Sequence, residues 1–259
     1  MEDGNYIYCI IGTNEARNFG PVGIGGRGDI VSTIGYEGVS CVASNSPASD
    51  YAVSRENMLT HQKVIEGVMK AHTVLPVRFS TVAKSPEDIR GLLRKRRSEF
   101  IGLLRDMDNK IELGLKAIWK DMGAVFKNIA EQRDEIKRFK ERIKSGPKNK
   151  AYHDRITLGK MVEAALKEKK EAEAEFILSS LRDISFDIRE NKTHGDNMIL
   201  NAAFLVDRVN TKEFDDRVEE LNGKRSRDMT LKYVGPVPPF NFVNIVVEWG
   251  NTVNNDREP

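Results

Sequence analysis

Four histidines, two cysteines and a run of glycines are the residues in this 259-residue sequence whose types could carry chemistry. Histidine suits metal ligation or proton transfer near neutral pH, but either task needs partner ligands at short spacing. His61 and His72 stand far apart on one helical stretch, His153 and His194 farther still, and no His-Glu-x-x-His pattern occurs. A surface or partly buried structural role is expected for His61 and His72. Cys9 and Cys41 each lie inside an apolar, strand-like run, the setting of buried thiols in a cytoplasmic protein, with a disulfide between them as the alternative. Gly23-Ile24-Gly25-Gly26-Arg27-Gly28 formally fits a dinucleotide fingerprint. That chemistry needs a helix N-terminus straight after the glycines to receive the pyrophosphate, and Ile30-Val31-Ser32-Thr33-Ile34-Gly35 reads instead as a strand. The glycine run is therefore expected to be a loop. With no P-loop, no Gly-x-Ser-x-Gly elbow and no cysteine cluster, no catalytic residue, cofactor-binding residue or metal ligand is assigned.

The totals narrow the partners. The 41 basic and 39 acidic residues leave a net charge of +2, without the one-sided excess of a general nucleic-acid binder. The cluster Arg94-Lys95-Arg96-Arg97 reads as a solvated helix face or as an anion contact. No apolar run approaches the ~18 residues of a membrane span, so no membrane partner is expected. Met1-Glu2-Asp3-Gly4-Asn5 is acidic and polar, unlike a secretory signal.

The first half reads as three strands, a helix, a strand and a helix, one sheet layer with helices against it. Tyr6 to Ile11 has apolar residues on both faces, as a central strand does. Strands follow from Ile30 and from Val39, joined through Tyr36-Glu37-Gly38. Ser54 can cap a helix whose buried side carries Met58, Leu59, Ile65, Val68 and Met69. Val74 to Ser80 reads as a short edge strand. Ser85-Pro86-Glu87-Asp88 is a helix start with a cap, an N1 proline and acids near the positive helix end, and that helix runs to about Arg105.

The second half is organised around a charged helical arm at about 120–190. In its first limb Met122, Val125, Phe126, Ile129, Ile136, Phe139 and Ile143 recur at steps of three and four, one apolar helix face close to heptad spacing. Ser145-Gly146-Pro147 breaks the helix, and a second limb carries apolar residues from Ile156 to Ile188 between alternating charges. Two arrangements fit: a hairpin packed on itself or on its own domain, or a coiled-coil-like arm offered to a partner through Ile129 and Ile136. Around the arm lie strands at 111–119, 199–206 and 229–234 and a helix opened by Asn210-Thr211-Lys212-Glu213 and closed by Asn222-Gly223. This order is that of a split βαβ sheet. The segment Gly235-Pro236-Val237-Pro238-Pro239-Phe240-Asn241-Phe242-Val243 cannot be a central strand. It is expected to be a stiff, extended support on which Pro238, Pro239, Phe240 and Phe242 either close the domain or bind a partner. The tail from Asn251 is polar.

Four motifs occur in order: Tyr6-Ile7-Tyr8, Val74-Leu75-Pro76-Val77-Arg78-Phe79, Glu112-Leu113-Gly114-Leu115-Lys116 with Trp119, and the proline-rich segment. In this order and spacing the chain resembles the gas vesicle accessory proteins of the GvpF/GvpL family. The resemblance implies an α+β fold of two domains, 1–106 modified ferredoxin-like and 107–259 with a coiled-coil-like helical part. It implies a non-enzymatic, minor component of the gas vesicle, a buoyancy organelle of the cytoplasm. Its implied partners are the small hydrophobic shell protein, whose aggregation it would restrain during nucleation, and other accessory proteins. The rivals are a ferredoxin-like small-ligand protein or enzyme, and a nucleic-acid-associated protein using the basic cluster. With no catalytic constellation, the purified protein is expected to carry no stoichiometric metal, nucleotide or redox cofactor. Elemental analysis and native mass spectrometry check this, and one bound metal or nucleotide per chain would favour the enzyme.

Overall fold

The computed structural model describes residues 3–145 and 151–249. The fold is mixed α+β, with two sheets and six α-helices among these residues. The chain divides into two compact units, one of residues 1–112 with 236–259 and one of residues 113–235.

The first unit is built on β1 (Asp3–Ile11), whose residues from Gly4 onward are all buried. Strands β2 (Asn18–Gly20), β3 (Val31–Tyr36) and β4 (Val39–Pro47) follow, then α1 (Arg55–Met69), β5 (Val74–Pro76), β6 (Val82–Ala83) and α2 (Pro86–Asp106). The sheet order is β2-β3-β4-β1-β5, with β6 also paired to β1. A strand with neighbours on both edges and side chains packed on both faces needs apolar residues at every position, as Tyr6 to Ile11 supply. Glu37 and Gly38, at φ 39° and 92°, make the tight turn between β3 and β4. Ser54 Oγ accepts from Asn57 N–H at 3.1 Å and Ser85 Oγ from Asp88 N–H at 3.2 Å, so both expected caps form.

Two expectations for α1 are corrected. Met58 and Leu59 are 44% and 43% exposed, and His61 is buried with Val64, Ile65 and Val68. These four share one helix face by their spacing of three and four. The reason His61 belongs there lies in β1. The hydroxyl of buried Tyr6 needs a partner, and it meets His61 Nδ1 at 2.9 Å while accepting from Ser80 N–H at 3.1 Å. Tyr8 stacks on the same ring at 5.8 Å.

The second unit holds the body of β7 (Lys110–Trp119), then α3 (Met122–Gln132), α4 (Asp134–Ser145), α5 (Ala151–Leu181), β8 (Asp187–Glu190), β9 (Met198–Asp207), α6 (Thr211–Arg225) and β10 (Met229–Val237). Ile111, Leu113, Leu115, Ala117 and Trp119 are all buried, as their alternation requires. The sheet order β10-β7-β9-β8 places β7 between β9 and β10, the strands that α6 connects. With β8 hairpinned antiparallel to β9, the element order is β-α-β-β-α-β, the first crossover being α3 to α5.

Several boundaries differ from expectation. The arm's last segment is the edge strand β8, since α5 ends at Leu181. The first limb breaks at Arg133, whose backbone is extended at φ −102° and ψ 101°. The expected break at Ser145-Gly146-Pro147 falls partly outside the described residues. Asn210 makes no side-chain cap, and α6 continues past Gly223 to Arg225. Arg217 anchors that helix, donating to both oxygens of Asp183 at 2.6 and 3.0 Å and to Glu213 at 2.6 Å.

Burial holds the His61 ring neutral, lowering its pKa from 6.5 to about 4 against the opposing bond to the Val77 backbone. The unfolded chain takes up this proton near its ordinary pKa of 6.5 and the folded chain only near 4. Stability is therefore lost as pH falls through that window, by about 3 kcal/mol at most. Chemical denaturation at stepped pH should show His61→Gln losing less stability across it than the unsubstituted chain. Parallel curves would contradict the assignment.

Candidate interaction surfaces

The residue types capable of chemistry are kept apart or locked. The described residues contain no group of three or more His, Cys, Asp or Glu able to hold a metal ion. Cys9 and Cys41 are free and buried in adjacent strands. Burial pushes both thiols up, Cys41 to about 12, so neither is a ready thiolate at neutral pH. The glycine run forms a short 3-10 turn at Ile24–Gly26, with Gly25, Gly26 and Gly28 at φ 83°, 67° and 72°, and β3 follows it without an intervening helix. Across from it α1 closes a cavity of about 560 Å³, bordered by Phe19, Val22, Thr60 and Lys63. The basic cluster is partly engaged: Arg96 forks onto Glu99 at 2.6 and 2.8 Å and reaches Val246 O at 2.8 Å, and Arg97 donates to Glu37 O at 2.8 Å.

The six residues singled out for partner binding fall into two groups in different compact units. Ile129 and Ile136 lie on either side of the Arg133 break. Both are buried, at 4% and 3% exposure, while Phe126 beside them is 39% exposed. Arg133 pairs with Glu168, and Arg142 lies 3.9 Å from Asp154, tying the first limb to α5.

The proline-rich group folds differently from expectation. Phe240 N–H donates to Pro238 O at 2.7 Å, and the N–H groups of Phe242 and Val243 donate to Pro239 O at 3.1 and 2.9 Å. The segment after β10 is thus a tight turn in place of an extended support. Pro238 and Pro239 are buried, Phe242 is half-buried, and Phe240 is 37% exposed. Beyond the turn, Val243 and Ile245 are buried, and Ile245 bridges to Val77. The turn is closed by Glu112. One carboxylate oxygen accepts from Asn241 N–H at 2.8 Å and the other from the Asn241 amide at 2.5 Å. Sequence reasoning named the motifs around both residues but did not join them. The alternation that turns Ile111 and Leu113 to the core puts Glu112 on the other face of the strand, so nothing local marks it as buried.

Burial raises the Glu112 pKa, and the two bonds from Asn241 oppose the rise. A raised acid pKa means that the folded chain keeps its proton longer, so stability falls as pH climbs above the ordinary 4.5 through the folded value. Removing the side-chain donor while the backbone N–H stays makes this worse. Asn241→Ala should cost about 1.5–3 kcal/mol at neutral pH, the range for hydrogen bonds to charged groups, and less near pH 4, where Glu112 is protonated. Urea titrations at both pH values check this, and a cost independent of pH would contradict the role given to the carboxylate.

The comparisons with known proteins agree on one relationship. The family model described as "Gas vesicle synthesis protein GvpL/GvpF" matches residues 4–244. Gas vesicle protein F of Nostoc sp. (strain PCC 7120) is 26% identical over 248 residues, covering 95% of this chain and 100% of its own length. Gas vesicle protein F1 of Halobacterium salinarum is 26% identical with 95% of each chain covered. Gas vesicle protein L of Streptomyces sp. is 28% identical over 73% of this chain and 69% of its own. The crystal structure of GvpF from Anabaena sp. PCC7120 has the same fold, with a TM-score of 0.83 at 23% identity over 95% of this chain and 100% of that one. The chain belongs to the GvpL/GvpF family of gas vesicle synthesis proteins.

Proposed function

We propose that this protein is a non-enzymatic assembly factor of the gas vesicle that binds the small hydrophobic shell protein and restrains its aggregation during nucleation. The observation that carries this is the family match across residues 4–244. Relatives named gas vesicle protein F and gas vesicle protein L give the same setting. Such a role needs accessible apolar surface on a rigid base. Phe240 supplies one such point: the residue is 37% exposed, and the turn beneath it is fixed by two buried prolines and the Glu112 clamp. A preorganised aromatic loses little entropy on binding. The exposed Phe126 on the arm supplies a second, with Ile129 and Ile136 buried beside it. Among the described residues no helix is long and apolar enough to cross a membrane. In this role the chain works with other gas vesicle accessory proteins, at the gas vesicle itself.

The test is capture of the shell protein by purified variants, read beside their melting temperatures. Phe240→Ala should weaken association by about 1–4 kcal/mol with little loss of stability, as an interface anchor does. Phe242→Ala, at a more covered position, should cost more folding stability than Phe240→Ala. If Phe240→Ala unfolds early and the folded fraction still captures normally, the ring is a core residue and the surface lies elsewhere.

A further inference from the structure

The break at Arg133 has a geometric consequence. Because α3 and α4 change direction there while both contact α5, the arm opens a groove of about 620 Å³. Its floor is apolar: Phe126, Ala130, Ile136, Leu158 and Val162. Its rim is basic, with Lys127, Lys137, Lys140 and Lys144 against Glu131 and Glu141. Lys127 lies 4.0 Å from Glu131. Among the described residues no carboxylate pairs with Lys137, Lys140 or Lys144, although their neighbours Arg133 and Arg142 both have acidic partners on α5. These three lysines stand on one helix at spacings of three and four, so they form one cationic edge beside the apolar floor. A solvated helix face does not require an apolar trough alongside it, and a folding core does not require an unpaired cationic edge. The combination is the complement of one kind of partner.

We propose that this groove docks an amphipathic helix of another protein, with aliphatic residues at i, i+3, i+4 and i+7 entering the trough and carboxylates on its flank meeting Lys137, Lys140 and Lys144. The volume falls within the ~300–1,000 Å³ range of ligand pockets. The helix lies along α4 and α5, completing the layer that the Arg133 break leaves open. The inference rests on the assembly role only for the identity of the protein that carries the helix; the chemistry of the groove is independent of it.

The experiment uses the full chain and two synthetic helical peptides of about 18 residues that share one leucine stripe, one flanked by glutamates and one by lysines. Fluorescence anisotropy should show the glutamate-flanked peptide binding at least about tenfold tighter, with affinity falling as salt rises. Lys137→Glu with Lys140→Glu should reverse that preference. Both positions are exposed, so circular dichroism and melting temperature should be unchanged. Phe126→Asp should weaken both peptides, reporting on the trough. Equal binding of the two peptides, or a preference that survives the charge reversal, would overturn the proposal. Capture of the shell protein by the same variants separates the two ideas. If the peptide preference is lost and shell capture is intact, the groove stands and serves a different gas vesicle protein; if the unsubstituted chain binds the peptide but never the shell protein, the assembly role fails alone.

Discussion

A carboxylate taken out of water must find donors, and Glu112 finds both of its donors on Asn241, 129 positions along the chain. This contact decides where the C-terminal segment goes. Once Asn241 is held, Pro239 lies where its carbonyl can accept from Phe242 and Val243, and the chain beyond runs to the Val77–Ile245 bridge and the Val246–Arg96 bond. Residues 236–249 accordingly cluster with the first unit, although they follow the second in sequence. The contact also leaves Phe240 at the apex of a braced turn. Stability and exposure come from the same arrangement.

A second constraint operates at the centre of the first sheet. Burying β1 on both faces gains apolar area but also buries two tyrosine hydroxyls. Each must be satisfied, and each recruits structure. Tyr6 recruits His61 and the Ser80 backbone; Tyr8 recruits Ser44 at 2.9 Å and the Ile24 backbone at 2.8 Å. Through these bonds α1, the glycine turn and the segment after β5 are positioned by one strand. Ser80 holds a left-handed backbone at φ 64°, where the Tyr6 hydroxyl takes its N–H. The buried polar cluster is thus a fastening, with its histidine kept neutral by burial instead of poised for proton transfer.

Much of the fold was legible because local patterns carried it. The two-sided apolar run of β1, the Ser54 and Ser85 caps, the alternation of β7 and the strand–turn–strand around Gly38 each depend on residues close in sequence. Two of the failures share a cause: a distant partner overrode the local pattern. His61 read as a surface or partly buried residue because nothing near it in sequence shows the Tyr6 hydroxyl. Three prolines suggested an extended segment, and the turn that forms there is closed by Glu112. The strand at Asp187–Glu190 was hidden inside a helical pattern because a short, charged edge strand has little apolar signature. The break at Arg133 left the heptad-like stripe intact in sequence while splitting it in space. That split creates the groove, so the surface feature with the clearest charge pattern was the least visible beforehand.

In the proposed role, this family member meets the shell protein through surfaces that its internal constraints brace. Hydrogen–deuterium exchange of the full chain, alone and with the shell protein, tests it most directly. The account predicts protection at the Pro238–Val243 turn and along α3 to α5, with β1 and α1 unchanged. Protection confined to other surfaces, or none at all under conditions where the two proteins co-purify, would contradict it.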